Sequence, residues 1–302
     1  MTRLQANLLL LFIAMIWGSA FVAQVHGMDD LPPITFTGIR FLLGALIVAP
    51  LAWRDFRGLR RRTERPRRND FFGVIGLGLL LTLGAVLQQT GLVTTSVTNT
   101  GFLTVLYVPL MPLVSWGLYR LRPHWTVWPS ALGCLVGTWM LSGAGPVELQ
   151  SGDLWVIASS LFWGLHVLFV GGVAERFNAP FFVAGGQFLA CAVACLVWAA
   201  LTESATLAGI ERAALPILYT SFLSVGLAYT IQVIAQRHTL PTDAAIILSA
   251  ETLFAALFGF LLMGDRLTPM GMGGCALIFI CIIVVQMAPQ PTRAQRNTVA
   301  GG

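Results

Sequence analysis

The sequence has little charge and no lysine. Only 10% of its 302 residues are Asp, Glu, Lys or Arg, and all 18 basic residues are arginine. A soluble domain normally carries about 25% charged residues, so a soluble globular fold is excluded. The mean hydropathy of +0.79 excludes intrinsic disorder. A polytopic membrane protein remains, and at about 20 apolar residues per spanning helix the length allows roughly ten spans.

Motifs of several enzyme classes are also missing. The sequence has no HExxH zinc-protease motif and no GxSxG nucleophile elbow, and a P-loop is impossible without lysine. The five cysteines lie in apolar runs, with no CxxC pair and no Cys/His ligand spacing. ATP-driven pumping by this chain alone is therefore excluded, and we expect neither a metal site nor a cofactor.

The arginines are concentrated in one segment. Eight of them lie between Arg54 and Arg68, which connects two apolar runs. The net charge of +5 could indicate a nucleic-acid partner. A basic loop between apolar runs is instead typical of cytoplasmic membrane loops, so no nucleic acid is expected. Specific recognition of anionic lipid is the alternative interpretation of this loop.

Apolar runs predict ten membrane helices, joined by short turns in one bundle. The run from Leu4 to Val25 is too long for the apolar core of a cleaved signal peptide, which is typically about 7–15 residues. The predicted helices cover 4–25, 33–53, 71–89, 97–119, 125–142, 154–173, 180–202, 213–235, 241–263 and 269–288. The polar tail, 289–302, is expected to be disordered.

The distribution of arginine predicts the orientation of the bundle. Ten spans place both termini on the same side of the membrane. With the termini inside, 15 arginines lie in inner segments and two, Arg212 and Arg266, lie outside, while Arg40 is intramembrane. Because cytoplasmic loops are enriched in arginine, we expect both termini in the cytoplasm.

Short motifs recur in the same order in the two halves of the chain. The recurring pairs are MIWG at 15–18 with LFWG at 161–164, GIRFL at 38–42 with GGQFL at 185–189, and LGC at 132–134 with GGC at 273–275. These offsets predict two five-helix repeats, residues 1–145 and 146–288. Because five is odd, the second repeat enters the membrane from the opposite side. Such inverted-topology repeats are common in secondary transporters, whose substrate site lies near the midplane between the halves.

Three segments resemble the EamA family of the drug/metabolite transporter superfamily. They are IWGSAFV at 16–22, Pro33 followed by GIRFLLGAL at 38–46, and FLLMGDRLT at 260–268, where Asp265 replaces the usual glutamate. The resemblance covers both halves and nearly the whole chain. It implies a ten-helix carrier of the bacterial inner membrane that exports amino acids, other metabolites or drugs.

The sequence departs from the family at the centre of the ninth predicted helix. The family commonly has Glu-Pro there, whereas this chain has Glu251 followed by Thr252. The first half keeps a proline instead, as Val108-Pro109. The acid therefore matches the family motif, but the residue that would break the helix does not.

One acidic and two basic residues lie well inside predicted spans, namely Glu251, Arg40 and His166. Glu251 is at the centre of its helix, where a carboxyl group is protonated, paired or in contact with water. It is a candidate for binding a proton or a substrate amine, and the alternative is a structural hydrogen bond. Arg40 is a candidate carboxylate-binding group or gate partner, unless it extends to the outer interface. His166 is a candidate proton relay, or a packing residue.

Amide and aromatic side chains complete a predicted polar path. Intramembrane amides avoid lipid and face the bundle interior, where they either join helices or line a cavity. Trp17 and Trp163 occupy equivalent repeat positions and could bracket an apolar substrate, or simply pack. The residues expected to line the path are Trp17, Gln24, Arg40, Gln88, Asn99, Tyr107, Trp163, His166, Gln187, Tyr229, Gln232 and Glu251.

Glycines in the fifth and tenth predicted helices allow close helix packing. Gly133 and Gly137 form a GxxxG motif, and Gly271, Gly273 and Gly274 lie in the tenth helix. These helices are expected to be scaffold. Their glycine faces could pair within one chain or form a homodimer.

Taken together, the sequence predicts an all-α integral membrane protein that transports a small molecule across the lipid bilayer. The leading interpretation is a secondary-active exporter working by alternating access, with proton coupling through Glu251. One alternative is an intramembrane enzyme acting on a lipid-linked group, with Glu251 and His166 as acid and base. The other is a lipid- or partner-binding membrane protein, which predicts a closed core without a cavity.

Overall fold

The computed structural model describes residues 1–62, 66–95, 97–120, 123–141, 150–263 and 268–288. Within these ranges the regular secondary structure is entirely helical, and there is no strand. The predicted disordered tail lies outside the described residues. The helices of the first half are α1 (Arg3–Met28), α2 (Pro33–Arg61), α3 (Arg68–Leu92), α4 (Val97–Thr104), α5 (Tyr107–Tyr119) and α6 (Val127–Leu141).

The second half repeats this order with more interruptions. Two segments in it are π-helical, Thr220–Tyr229 and Gly259–Met263. The α-helices are α7 (Ser151–Phe177), α8 (Pro180–Thr202), α9 (Leu207–Arg212), α10 (Ala214–Tyr219), α11 (Thr230–Ala235), α12 (Pro241–Leu248), α13 (Ala250–Phe258) and α14 (Pro269–Met287).

Nine helical segments of the described chain are long and apolar enough to cross a membrane. They correspond to nine of the ten predicted spans. The remaining predicted span, 125–142, is present as α6, a shorter apolar helix of 15 residues. The protein is therefore a multi-pass membrane protein, and the part that the structure describes is all-helical.

The central pair of helices, α2 and α8, is antiparallel and capped reciprocally. The Glu203 carboxylate, just after α8, accepts hydrogen bonds from the backbone N–H of Ile34 at 2.9 Å and of Thr35 at 2.7 Å. At the other end, Asp55 Oδ2 on α2 accepts from the backbone N–H of Phe181 at 3.0 Å. Each carboxylate satisfies otherwise unpaired N–H groups and complements the positive end of a helix dipole.

The glycine faces of α6 and α14 pack against each other within the chain. A Cβ atom on Gly137 would lie 2.8 Å from the Gly274 carbonyl oxygen, so only glycine allows this approach. Gly133 likewise faces Cys281. The GxxxG motif of α6 thus holds two helices of one protomer together.

The span predicted over 97–119 is not one regular helix. Turn residues Val105 and Leu106 separate α4 from α5. The cause is Pro109, which has no N–H to donate to the carbonyl oxygen four residues earlier. That oxygen, on Val105, accepts from Val108 N at 2.8 Å instead.

The span predicted over 241–263 is interrupted at the equivalent point, although it has no proline in its interior. Ser249 separates α12 from α13. Its hydroxyl donates to the Ile246 carbonyl at 2.6 Å, and the Thr252 hydroxyl donates to the Ser249 carbonyl at 2.8 Å. Such side-chain bonds to the preceding turn bend helices. The interruption expected only from Glu-Pro is therefore produced here by serine and threonine.

The span predicted over 213–235 contains ten consecutive π-helical residues, Thr220–Tyr229. Hydroxyl groups initiate this segment, because Thr220 donates to the Pro216 carbonyl and Ser221 to the Ile217 carbonyl. A π-helix widens the turn and changes which side chains share a face. This irregularity places Tyr229 in the bundle interior.

The two ends of the bundle differ in charge. We call the end that carries Arg3 the basic end. There Arg62 donates to the Phe177 carbonyl at 2.7 Å, and Arg3 pairs with Asp243 at 3.1 Å. The linker arginines 54–62 and 66–68 lie at this end, most of them exposed.

We call the opposite end the acidic end. It carries Asp29, Asp30 and Glu203, and Arg212 is its one arginine among the described residues. Arg212 forms an ion pair with Asp30. The charge asymmetry between the two ends is thus a property of the folded chain as well as of the sequence.

Candidate functional site

A cavity lies between the two halves, in the middle of the bundle. The space inside it that water can enter is about 50 Å³ in this conformation, enough for a few ordered water molecules. Polar, charged and aromatic side chains share its wall. The lining residues are Trp17, Phe21, Gln24, Arg40, Gln88, Thr104, Tyr107, Trp163, Val167, Ser224, Tyr229, Gln232, Leu248 and Glu251.

Glu251 enters the cavity where α13 crosses α1. A Cβ atom on Gly18 would lie 2.6 Å from Phe254 Cβ and 2.8 Å from the Glu251 carbonyl oxygen, so the two backbones touch at this glycine. Within the described part of the chain, the Glu251 carboxyl group has no hydrogen bond and no ion pair. It is therefore free to bind a proton or a ligand.

Arg40 lies in the cavity wall and is only 4% exposed. Its Nη1 donates to Gln24 Oε1 at 2.7 Å, and its guanidinium carbon lies 5.7 Å from the Phe36 ring centre and 5.4 Å from that of Phe41. Its Nε is buried without a hydrogen-bond partner among the described residues. Arg40 is thus held inside the bundle and does not extend to the membrane interface.

Tyr229 is at the centre of an aromatic cluster. Its ring centre lies 4.7 Å from that of Trp17 and 6.2 Å from that of Trp163, with which it is stacked. The Trp17 indole donates to the Ser224 carbonyl at 3.3 Å, an acceptor supplied by the π-helical segment. The two repeat-related tryptophans therefore flank one tyrosine and give the cavity an apolar, polarisable wall.

The amides of the predicted path occupy the cavity in different ways. Gln88 Nε2 donates to Thr104 Oγ1 at 2.8 Å, which links α3 to α4. Gln232 Oε1 is buried and has no hydrogen-bond partner among the described residues. Tyr107, the first residue of α5 after the interruption between α4 and α5, also lines the cavity.

Two predicted residues lie behind the cavity wall. His166 Nε2 and Gln187 Oε1 are 2.9 Å apart, and both side chains are fully buried. The His166 ring meets the Tyr229 ring edge-on at 6.2 Å. Neither His166 nor Gln187 lines the cavity. The Asn99 side chain lies outside the part of the chain that the structure describes.

Five lining residues were not predicted: Phe21, Thr104, Val167, Ser224 and Leu248. Four of them lie three or four positions from a predicted residue, which is the spacing of one helical face. A helical projection around the predicted residues would therefore have found them. Ser224 lies five positions before Tyr229, the spacing of a π-helix, and the sequence gives no simple signal for that conformation.

The chemistry of this wall fits reversible binding of an amphipathic molecule. It combines an unpartnered carboxyl group, a guanidinium, amides and aromatic rings. Glu251 and His166 do not share the cavity, so they are not positioned as an acid and base on one substrate. Across the described residues, no three His, Cys, Asp or Glu side chains gather to hold a metal ion.

Comparison with known proteins places the chain in a family of transporters. The sequence profile of the EamA-like transporter family matches twice, over residues 4–143 and 150–287. An uncharacterized transporter of Archaeoglobus fulgidus is 30% identical, with 94% of this chain and 87% of that protein aligned. The uncharacterized inner membrane transporter YedA of Escherichia coli K12 is 25% identical, with 90% and 87% aligned.

The fold is also similar to that of a solved crystal structure. The two share a TM-score of 0.76 and 20% sequence identity, and the match covers 95% of this chain and 98% of the other. At 20% identity this match shows a shared fold and nothing further. The twofold match of the profile and the relatives do identify the family, and the chain belongs to the EamA-like transporters of the drug/metabolite type.

Proposed function

We propose that the chain is a secondary-active exporter of small amphipathic metabolites, such as amino acids or drugs. It works by alternating access in the bacterial inner membrane. The observation that carries this proposal is the central cavity, in which the unpartnered Glu251 faces aromatic and amide side chains from both halves. Intramembrane acids facing a cavity mark substrate, ion or proton pathways.

The proposed mechanism uses two inverted repeats, residues 1–145 and 146–288. Equivalent contacts at opposite ends of the bundle support this arrangement. Thr239 Oγ1 donates to Asn7 Oδ1 at 3.1 Å near the basic end, and Thr95 Oγ1 donates to Asp153 at the acidic end. The carboxylate caps of α2 and α8 are a second pair of equivalent contacts at opposite ends of the bundle. Near-equivalent halves can exchange conformations at similar energy, which alternating access requires.

The basic end is closed in this conformation, and we assign it to the cytoplasm. Along α1, α5 and α12, a plug of buried apolar residues separates the cavity from Asn7 and Asp243. Beyond this plug, Arg3 pairs with Asp243 and donates to the Val285 carbonyl at 2.8 Å. Positive residues favour the cytoplasmic side, so both termini would lie there. The plug residues are Leu10, Ile13, Ala14, Val108, Met111, Ile246 and Ile247.

Proton coupling would pass through Glu251. A carboxylate in this cavity is costly unless water, a proton or a cation compensates its charge. If the substrate and the proton compete for Glu251, inward proton movement can drive outward substrate movement. Glu251 lies in the first turn of α13, and the interruption at Ser249 separates this turn from α12. Asp243, at the closed end, lies on α12. Occupancy of the acid can therefore bias the position of α12.

Metabolite profiling tests the proposed function. Wild type, Glu251→Gln and the control Glu211→Gln, an exposed acid at the acidic end, would be overexpressed at matched membrane levels. We expect small metabolites to accumulate in the medium with wild type and the control only. Accumulation with all three proteins would keep the transporter but remove the role of Glu251. Unchanged metabolites with an altered lipid profile would favour the intramembrane enzyme.

A further inference from the structure

We infer that Arg40 and Gln24 form a carboxylate subsite in the cavity wall. The substrate would then be a small amphipathic carboxylate whose apolar body lies along Tyr229 and the two tryptophans. This inference rests on the proposed function and deepens it, because it divides the candidate substrates by charge. Amino acids and related acids fit the subsite, whereas lipophilic cations do not.

The first argument is charge balance. Arg40 is a buried cation, and no described Asp or Glu forms an ion pair with it, including Glu251 of the same cavity. At the acidic end of the bundle, Asp30 already pairs with Arg212, and Glu203 caps α2. A buried charge without a counter-charge is costly, and an anion that enters the cavity offsets that cost.

The second argument is geometry. Gln24 supplies an oxygen to Nη1 of Arg40, which fixes the guanidinium without neutralising it. The rings of Phe36 and Phe41 flank the same guanidinium. A guanidinium fixed in this way keeps a planar fork of N–H donors, the arrangement that binds a carboxylate through two parallel hydrogen bonds. Nε, buried without a partner, is one donor that a ligand could satisfy.

The third argument is the continuity between this subsite and the aromatic wall. The Phe41 ring beneath Arg40 lies 5.8 Å from the Tyr229 ring, and Tyr229 lies 4.7 Å from Trp17. A ligand bound at Arg40 therefore has an apolar surface directly beside its charged group. The equivalent position in the second half is Gln187, which is bonded to His166 outside the cavity. The cavity thus has one cationic pole.

Ligand binding to the purified protein tests the subsite. The probes share one ring and differ in charge: 3-phenylpropanoate, phenylalanine, phenylalanine methyl ester and 2-phenylethylamine, with hexanoate and hexylamine as an aliphatic pair. Trp17 and Trp163 line the cavity, so quenching of tryptophan fluorescence and the shift in Tm both report binding. We expect the carboxylates to bind at least about tenfold more tightly than the ester and the amines.

Variants of Arg40 test whether this residue causes the preference for carboxylates. Arg40→Gln should remove the preference for carboxylates, and Arg40→Lys should restore part of it, because lysine keeps the charge but loses the fork. Arg212→Gln, at the acidic end, is the matched control and should bind like wild type. The ester comparison on wild type does not depend on how the Arg40 variants fold.

Three results would overturn the inference. They are equal binding of ester and acid, tighter binding of the amines, or binding of none of the carboxylates. Export of metabolites without a preference for carboxylates would reject the subsite and leave the transporter intact. Failure of export in the profiling experiment would reject the transporter, whatever the purified protein binds.

Discussion

At the residue scale, the cavity depends on a few side chains whose partners decide their role. Glu251 is available because no described residue bonds its carboxyl group, whereas His166 is occupied by Gln187. The sequence could predict that both residues lie inside the membrane, because each is flanked by apolar residues at helical spacing. It could not predict which one faces a cavity, because that depends on contacts between helices far apart in the chain.

Gly18 is expected to be essential for the contact between α1 and α13. In Gly18→Ala the added methyl group would meet the backbone nitrogen of Ala255 at 2.7 Å, so the helices must separate. Overpacking of this kind costs about 1–3 kcal/mol. We expect a lower Tm in detergent and weaker transport. Gly172→Ala is the control, since its added atom meets nothing within 4 Å. Equal Tm values for the two variants would contradict the contact.

At the element scale, interrupted helices position the cavity residues. The interruption after α4 could be predicted from Pro109. The one before α13 could not, because serine and threonine are also common in regular membrane helices and only their bonds to the preceding turn reveal the bend. The π-helical segment that presents Ser224 and Tyr229 was missed for the same reason.

Proline is expected to be tolerated at position 252. Thr252 lies in the first turn of α13, where its N–H donates to the Ser249 carbonyl at 3.1 Å, so proline would remove this one short-range bond and no bond of the regular helix. We therefore expect Thr252→Pro to retain most of the transport activity. Ala256→Pro, in the helix interior, should abolish activity at a cost of about 3 kcal/mol or more. Comparable loss in both variants would show that the interruption at Ser249 does not matter.

The ion pair between Arg3 and Asp243 is expected to keep the basic end closed. Removing it by Asp243→Asn should favour conformations open at that end. A cysteine placed at Leu10, in an otherwise cysteine-free protein, should then react faster with a membrane-impermeant maleimide. The exchange of the two charges, Arg3→Asp with Asp243→Arg, should restore slow labelling. Labelling that stays slow in Asp243→Asn would show that the ion pair does not keep the basic end closed.

At the whole-molecule scale, the two halves are related in sequence and in contacts. The recurring tryptophan-glycine motifs predict the relation between α1 and α7, and the structure adds the reciprocal carboxylate caps of α2 and α8. Those caps could not be read from the sequence. Asp55 and Glu203 are ordinary acids near helix ends until the antiparallel pairing of α2 and α8 is known.

The two caps should contribute to stability equally and independently. Glu203→Gln and Asp55→Asn should each lower the stability by about 0.5–2 kcal/mol, the usual cost of losing a helix cap. Because they lie at opposite ends of the bundle, their effects on Tm should add. Strong non-additivity, or a loss in only one variant, would contradict the equivalence of the two ends.

The most direct test of the central claim is transport by the purified protein in liposomes. Vesicles would be loaded with labelled phenylalanine. Efflux would be measured with and without a proton gradient directed into the vesicles, for wild type, Glu251→Gln and Glu211→Gln. The account predicts that the gradient accelerates efflux in wild type and Glu211→Gln. Efflux through Glu251→Gln should not respond to it. Acceleration by the gradient in Glu251→Gln would contradict the account. So would wild-type efflux no faster than that from loaded liposomes without protein.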